Sequence, residues 1–313
     1  KLKFINLSHL NMSLVEDISS MFYGCFNLES VHFPDLAPLN LKDFNQLFYK
    51  CINLNSIISN FDTSNIKNFS KYPKILNFNT SNAIDMHEMF AYCLNLESLD
   101  ISKFDTSLVT NLTAMFCECK SLQSINLFNF NTANVTEMNS LFANCSNLTW
   151  INLSSFITSK VTSMHEFFAG CTSLLSIDIS NFDTSEVTDI QSMFKDCWNL
   201  TSINLSNFDV KNVNEMDELF SGCIKLEELD ISNFYISNVT SFNDMFKDCS
   251  SLKYLNLCMF QINENYIDEM NINNVFNDLP NETVYCINNN KTRNFLFSAN
   301  KNFTCEDTCY NEY

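Results

Sequence analysis

The sequence predicts an α/β solenoid, with a parallel sheet along one side and a row of short helices along the other. Three observations carry this. A Phe-x-x-Cys signature recurs, ending at Cys25, Cys51, Cys93, Cys119, Cys145, Cys171, Cys197, Cys223 and Cys249; every step is 26 residues except the 42 from Cys51 to Cys93. Each unit joins a stretch of alternating apolar residues to a second stretch with helical spacing. One such unit buries too little apolar surface to offset the entropy of ordering it, so neighbouring units must supply the rest.

The unit at 173–198, SLLSIDISNFDTSEVTDIQSMFKDCW, shows the elements in order. Leu174, Ile177 and Ile179 follow L-x-x-L-x-L, and Ile177 and Ile179 alternate with polar neighbours, which is strand periodicity. Equivalent strands begin at Leu2, Leu28, Leu54, Leu96, Leu122, Leu148, Leu200, Leu226 and Leu252. Phe182 adds a further apolar position. Val187, Ile190, Met193, Phe194 and Cys197 then recur at offsets 0, 3, 6, 7 and 10, one face of a short helix. Thr188 is its expected N-cap and Gln191 closes a capping box; Thr110, Thr136, Thr162 and Thr240 are equivalent. About ten such coils fill residues 1–260. A shortened coil is expected at 61–82, where F-[DN]-T-S-N occurs twice, at Phe61–Asn65 and Phe78–Asn82, with no helix signature between. From 261 to 313 the period is lost. Tyr266, Ile267, Met270 and Val275 predict one more helix and Val284–Ile287 a last strand, together a C-terminal cap.

Composition excludes several function classes. The chain has 313 residues, 46% of them apolar, and a formal charge of -18. Three glycines exclude Gly-rich phosphate loops. So acidic a chain does not suit nucleic acid, whose affinity rests on Lys and Arg, nor an anionic membrane surface. No apolar run approaches the ~20 residues of a membrane span. The start at Lys1, with no signal-peptide pattern, is expected of a processed product or a fragment.

The nine ladder cysteines invite a disulfide or metal stack, but helices pack ~8–10 Å apart and a disulfide needs Cα atoms within ~7 Å, so buried thiols are expected. Close Cys pairs that suit zinc are missing from the ladder. Cys117, Cys258, Cys286, Cys305 and Cys309 fall outside it, and the last four are disulfide candidates within the cap. Three connectivities are open to them; Cys258–Cys286 with Cys305–Cys309 is the expected one, because each closes a local segment. N-x-[ST] sequons supply N-glycosylation candidates at Asn6, Asn11, Asn68, Asn79, Asn111, Asn134, Asn147, Asn152, Asn199, Asn204, Asn238, Asn281, Asn290 and Asn302; Asn144 is set aside because its middle residue is Cys145. On the sheet face an Asn/Asp column runs from Asn6 to Asn256, beside a mostly Ser column interrupted by Trp150. At ~4.8 Å strand spacing the Asn side chains are expected to bond along the ladder. Phe128, Trp150 and Tyr254 are the candidate aromatic contacts of that face. His9, His32, His87 and His165 are read as surface residues. No catalytic constellation, metal site or cofactor motif is read, so no enzyme and no cofactor are expected.

The consensus C-x-x-L-x-x-[LI]-[DN]-[LI]-S-x-F-[DN]-T-S-x-V-T-x-M-x-x-[ML]-F resembles the BspA-like leucine-rich-repeat surface proteins over about residues 2–260. The resemblance implies a right-handed leucine-rich-repeat horseshoe or superhelix, and a secreted or cell-surface glycoprotein that acts as a non-enzymatic adhesion or recognition scaffold. The implied partners are protein or glycan ligands. The alternative is a self-assembling structural subunit of a glycosylated extracellular fibre or coat, its copies joined head-to-tail. That alternative is motivated by the first strand, LKFINL, which exposes apolar residues and an open edge.

Overall fold

The computed structural model describes residues 2–34, 41–59, 80–236, 238–258, 260, 274–276, 278–287 and 304–305. It divides into two compact units, Lys1–Phe156 and Ile157–Tyr313. Each is a parallel β-solenoid.

In the first unit, β1 (Phe4–Asn6), β2 (Ser30–Phe33) and β3 (Ser56–Ser59) form one parallel sheet, and β4 (Ser124–Asn126) pairs with β5 (Trp150–Asn152). In the second, β6 (Glu228–Asp230), β7 (Tyr254–Asn256), β8 (Val284–Cys286) and β9 (Thr304–Cys305) lie side by side in chain order, all parallel. The 26-residue period sets the register: Ile5 faces Val31, Ile125 faces Ile151 and Leu229 faces Leu255. β8 meets the expected last strand, but the strands expected to begin at Leu96, Leu174 and Leu200 are not formed: these stretches are extended without regular ladder pairing. The expected helix around Tyr266–Met270 and most of the proposed shortened coil lie outside the described residues.

The short helices are not formed. Among the described residues there is no helix; each coil closes instead through an arc of overlapping tight turns. In the arc from Ile190 to Cys197, alternate amides divide their roles. Those of Met193, Lys195 and Cys197 donate three residues back, to the carbonyls of Ile190, Ser192 and Phe194. Those of Ile190, Ser192, Phe194 and Asp196 donate to the next coil, to Glu215, Asp217, Leu219 and Ser221. A helix would aim every amide at its own i−4 carbonyl. A segment this short is a marginal helix by itself, and the neighbouring coil offers acceptors to half its amides. The offsets 0, 3, 6, 7 and 10 place apolar residues inward in either conformation, so periodicity could not separate them.

The arc requires left-handed backbone twice per coil, four residues apart. Ser192 and Asp196 have φ of 56° in both cases, and Ser20 and Gly24 show 53° and 68°. Glycine fills few of these sites; Glu, Asp, Asn, Ser, Lys and Tyr fill most of the rest. Each costs roughly 1–2 kcal/mol relative to right-handed backbone, offset by the coil-to-coil bonds.

Under the arcs the Phe of Phe-x-x-Cys forms a stack in each unit. Phe22, Phe48, Phe90, Phe116 and Phe142 succeed one another with ring centroids 5.5–5.9 Å apart and rings within 12° of parallel. Phe168, Phe194, Phe220, Phe246 and Phe276 stack likewise in the second unit at 5.6–6.1 Å and within 17° of parallel. Phe48 stacks directly on Phe90, and Asp43 bridges Asp85, so the 42-residue step leaves the row of arcs unbroken. Phe182, Phe208 and Phe234 are all buried.

Candidate functional site

Finding a recognition surface means first removing the polar side chains that the coil uses to hold itself together. The Asp-Thr-Ser of F-[DN]-T-S is one such group. Buried Thr184 donates through Oγ1 to the Asp209 carbonyl at 2.9 Å and accepts from the Asp209 amide at 2.8 Å, clamping the next coil through both backbone groups. Thr80, Thr106 and Thr158 do the same to Asp105, Asn131 and Asp183. The preceding Asp183 accepts from the Ser185 amide, and this bond with the Ser185 side chain holds its carboxyl below the usual range. The expected N-caps also act between coils: Thr188 bonds the Thr162 carbonyl through its amide and its hydroxyl.

The Asn/Asp column of the sheet face is likewise engaged, though not as expected. Asn6, Asp100, Asn126, Asn152, Asp178, Asn204, Asp230 and Asn256 each accept the amide two residues ahead in an Asx turn. Only Asn256, bonding Asp230 at 3.1 Å, shows a bond along the ladder in that column. The local turn wins because its acceptor is already positioned by the backbone.

The ladder cysteines carry thiols and are buried from Cys51 to Cys249. Cys51, Cys119, Cys145, Cys197, Cys223 and Cys249 donate to the Phe carbonyl 29 residues earlier, at 3.1–3.3 Å; Cys93 reaches Phe48 by the same route at 3.4 Å. Each thiol thus bonds a carbonyl of the preceding coil. Burial pushes Cys51, Cys197 and Cys249 up to about 12, so they stay protonated and unreactive at neutral pH.

What remains exposed is distributed differently in the two units. In the first, Trp150 lies on β5 opposite Ser124, 52% exposed, while Phe128 is 61% exposed just beyond the end of β4. They mark opposite ends of the strand pair and do not form one platform. Tyr254, on β7 of the second unit, is half-buried.

The arcs of the first unit carry a cluster that sequence reasoning missed. Tyr23 and Tyr49 stack at 4.8 Å, Tyr49 meets Tyr92 edge-on at 5.4 Å, and Lys50 Nζ stands 5.1 Å from the Tyr49 ring and 5.5 Å from that of Tyr92. Met21 and Phe26 are exposed on the same first arc. The 26-residue spacing of Tyr23 and Tyr49 was a usable signal; Tyr92 stands one position past that column and was not. Two arc histidines face carboxylates. His87 Nδ1 lies 2.9 Å from Asp85 Oδ1, and His165 lies 3.7 Å from Asp189, whose carboxylate raises its pKa.

The cap cysteines are only partly described. Cys286 is disulfide-bonded, and Cys258 Sγ stands 2.9 Å from Cys286 Sγ. The side chains of Cys305 and Cys309 lie outside the described ones. Of the sequons, Asn6, Asn11, Asn134, Asn147, Asn204, Asn238 and Asn281 are exposed and Asn111, Asn152 and Asn199 half-buried. The Nδ2 groups of Asn134, Asn199 and Asn238 donate to carbonyls of Ser107, Thr172 and Lys211 at 2.7–2.8 Å. Asn68, Asn79, Asn290 and Asn302 lie outside the described residues.

Against known proteins, the family described as "Mycoplasma protein of unknown function, DUF285" matches residues 1–73, 70–176, 138–258 and 168–283. The chain belongs to that family. A crystal structure of a leucine-rich repeat protein from Bacteroides ovatus is similar at 16% identity and a TM-score of 0.48, covering 91% of this chain and 70% of that one. No curated protein matches the chain. Its own L-x-x-[LI]-x-[LI] coils make it a leucine-rich-repeat-like protein. Among the described residues no helix is long and apolar enough to cross a membrane.

Proposed function

We propose that the chain is a non-enzymatic recognition scaffold of the BspA-like kind, displayed at a cell surface or secreted as a glycoprotein, and that it binds protein or glycan ligands in adhesion. The observation that carries this reading is the set of exposed aromatic side chains, Tyr23, Phe26, Phe128 and Trp150, on a backbone whose polar groups are bonded from coil to coil. Exposed aromatic anchors on a rigid frame are what an interface needs. The disulfide at Cys286 supports an oxidising compartment. Cell-binding assays with Trp150→Ala and Tyr23→Ala test the reading: loss of binding in either supports it, and undiminished binding in the double variant moves recognition off both surfaces. Intact mass before and after deglycosylation tests the glycan.

A second reading, copies packed head-to-tail in a fibre or coat, is favoured by the first coil. Leu14 is 94% exposed there, and Leu2, Phe4 and Leu10 are exposed with it. Light scattering that finds only monomers at all concentrations counts against it.

A further inference from the structure

Tyr23 and Tyr49 occupy the same place in successive arcs, 26 residues apart, where the later arcs of the first unit carry Ala91, Cys117 and Ala143. Their backbones are held alike. The Tyr23 amide donates to the Ser20 carbonyl and the Tyr49 amide to the Gln46 carbonyl, both at 3.0 Å, and the Gly24 amide reaches the Tyr49 carbonyl at 2.8 Å. Side chains that leave equivalent backbone run side by side, and the two rings stack with centroids 4.8 Å apart and planes 18° from parallel. Tyr23 is 50% exposed, so a reagent in solution reaches the pair. Tyr92 is placed differently. It meets Tyr49 edge-on at 64°, with Lys50 Nζ near both rings.

Two phenol rings fixed in near-parallel contact are poised to join carbon to carbon once each has lost an electron, because the encounter between them is already made. We infer that Tyr23 and Tyr49 are an oxidative cross-linking site, joined as dityrosine by a haem peroxidase acting with hydrogen peroxide. Each phenol gives up one electron and one proton and becomes a phenoxyl radical. The radicals join through ring carbons ortho to oxygen, a Cε of Tyr23 to a Cε of Tyr49. The hydrogen on each joined carbon then moves, as a proton, to the oxygen of its own ring, which restores both phenols. Two electrons and two protons in all pass to hydrogen peroxide, whose O–O bond breaks to give two molecules of water. The product adds a covalent tie to the hydrogen bonds between the first two arcs. This inference stands whether or not the recognition reading holds, because it concerns one pair of side chains alone.

The test treats the full chain, in dilute solution, with a haem peroxidase and limiting hydrogen peroxide. Held in contact, the pair has an effective concentration of about 1 mM or more against about 1 µM of other chains, so coupling within a chain should exceed coupling between chains about a thousandfold. The expected product is monomeric and emits the blue fluorescence of dityrosine. On tryptic digestion it yields peptides 4–42 and 43–50 joined and two hydrogens lighter than their sum, in a yield that does not change with protein concentration. Tyr49→Phe keeps the ring and should abolish this product, whereas Tyr92→Phe should leave it. Tyr235 of the second unit is 49% exposed and controls for exposure alone. Cross-links that take in Tyr235 as often as Tyr23, that form only between chains, or that persist undiminished in Tyr49→Phe overturn the inference. So does the absence of any cross-link, or its loss in Tyr92→Phe.

Discussion

The arcs of the two units share one backbone and differ in what they show to solvent. Around Phe22, Phe48 and Phe90 the outer positions hold Tyr23, Tyr49, Lys50 and Tyr92, an aromatic cluster with a cation over it. Around Phe194, Phe220 and Phe246 the outer positions hold Lys195, Asp196, Lys247 and Asp248, and Lys195 pairs with Glu218 of the next coil. Left-handed residues, coil-to-coil amides, thiol–carbonyl bonds and Phe stacks recur in both. The lesson is that the coil is held by its backbone and inward side chains, which leaves the outer arc positions open to carry function.

The strongest test of that equivalence removes one ring from each stack. Phe116→Ala and Phe194→Ala should each cost about 3–5 kcal/mol in urea unfolding, since both rings are buried between parallel neighbours. If the losses differ by more than about 2 kcal/mol, the arcs are not equivalent. Next come the glycines. A Cβ on Gly222, at φ 75°, would meet Asp196 Oδ1 at 2.4 Å and Asp196 Cα at 3.2 Å, whereas at Gly24 the nearest atom is 3.8 Å away. Gly222→Ala should therefore cost about 2 kcal/mol or more and Gly24→Ala about 1 kcal/mol, read as shifts in urea midpoint.

How much of this was legible in the sequence depends on what the residue patterns could distinguish. Ile125, Ile151 and Leu229 lie on strands as the alternation expects, with the 26-residue step setting their register, whereas no strand forms over 174–179. Ile190, Met193 and Phe194 named the core of the arc but not its backbone, because tandem turns and a helix turn the same residues inward. The scarcity of glycine hid the arc further, since the left-handed sites are filled by Ser192, Glu118, Tyr92 and the like. The Thr184 clamp was visible as a motif, but its bonds run to Asp209, 25 residues away, and no local rule assigns them. At the candidate site, Trp150 and Phe128 were readable from their outward strand phase. The tyrosine cluster was not, because Tyr92 belongs to a different column.

Two smaller effects sharpen the comparison. Ala114 sits at φ 54°, so Ala114→Gly should stabilise the first unit by up to about 1 kcal/mol, measured by thermal or urea unfolding. In the second unit, the Asp189 carboxylate raises the pKa of His165, against an opposing desolvation, with Glu166 and Glu215 adding in the same direction. A raised folded-state pKa contributes stability that is full below the ordinary histidine value near 6.5 and is lost as pH rises through the folded value. Stability should thus fall slightly across neutral pH, and His165→Asn should flatten that slope.

The central claim, that the arc amides bond the next coil and not their own turn, is open to one direct reading. Scalar coupling across hydrogen bonds, measured by NMR, should link the Phe194 amide to the Leu219 carbonyl, 3.0 Å away in the adjoining coil. Coupling from Phe194 to the Ile190 carbonyl, four residues back, would show a helix and contradict the account.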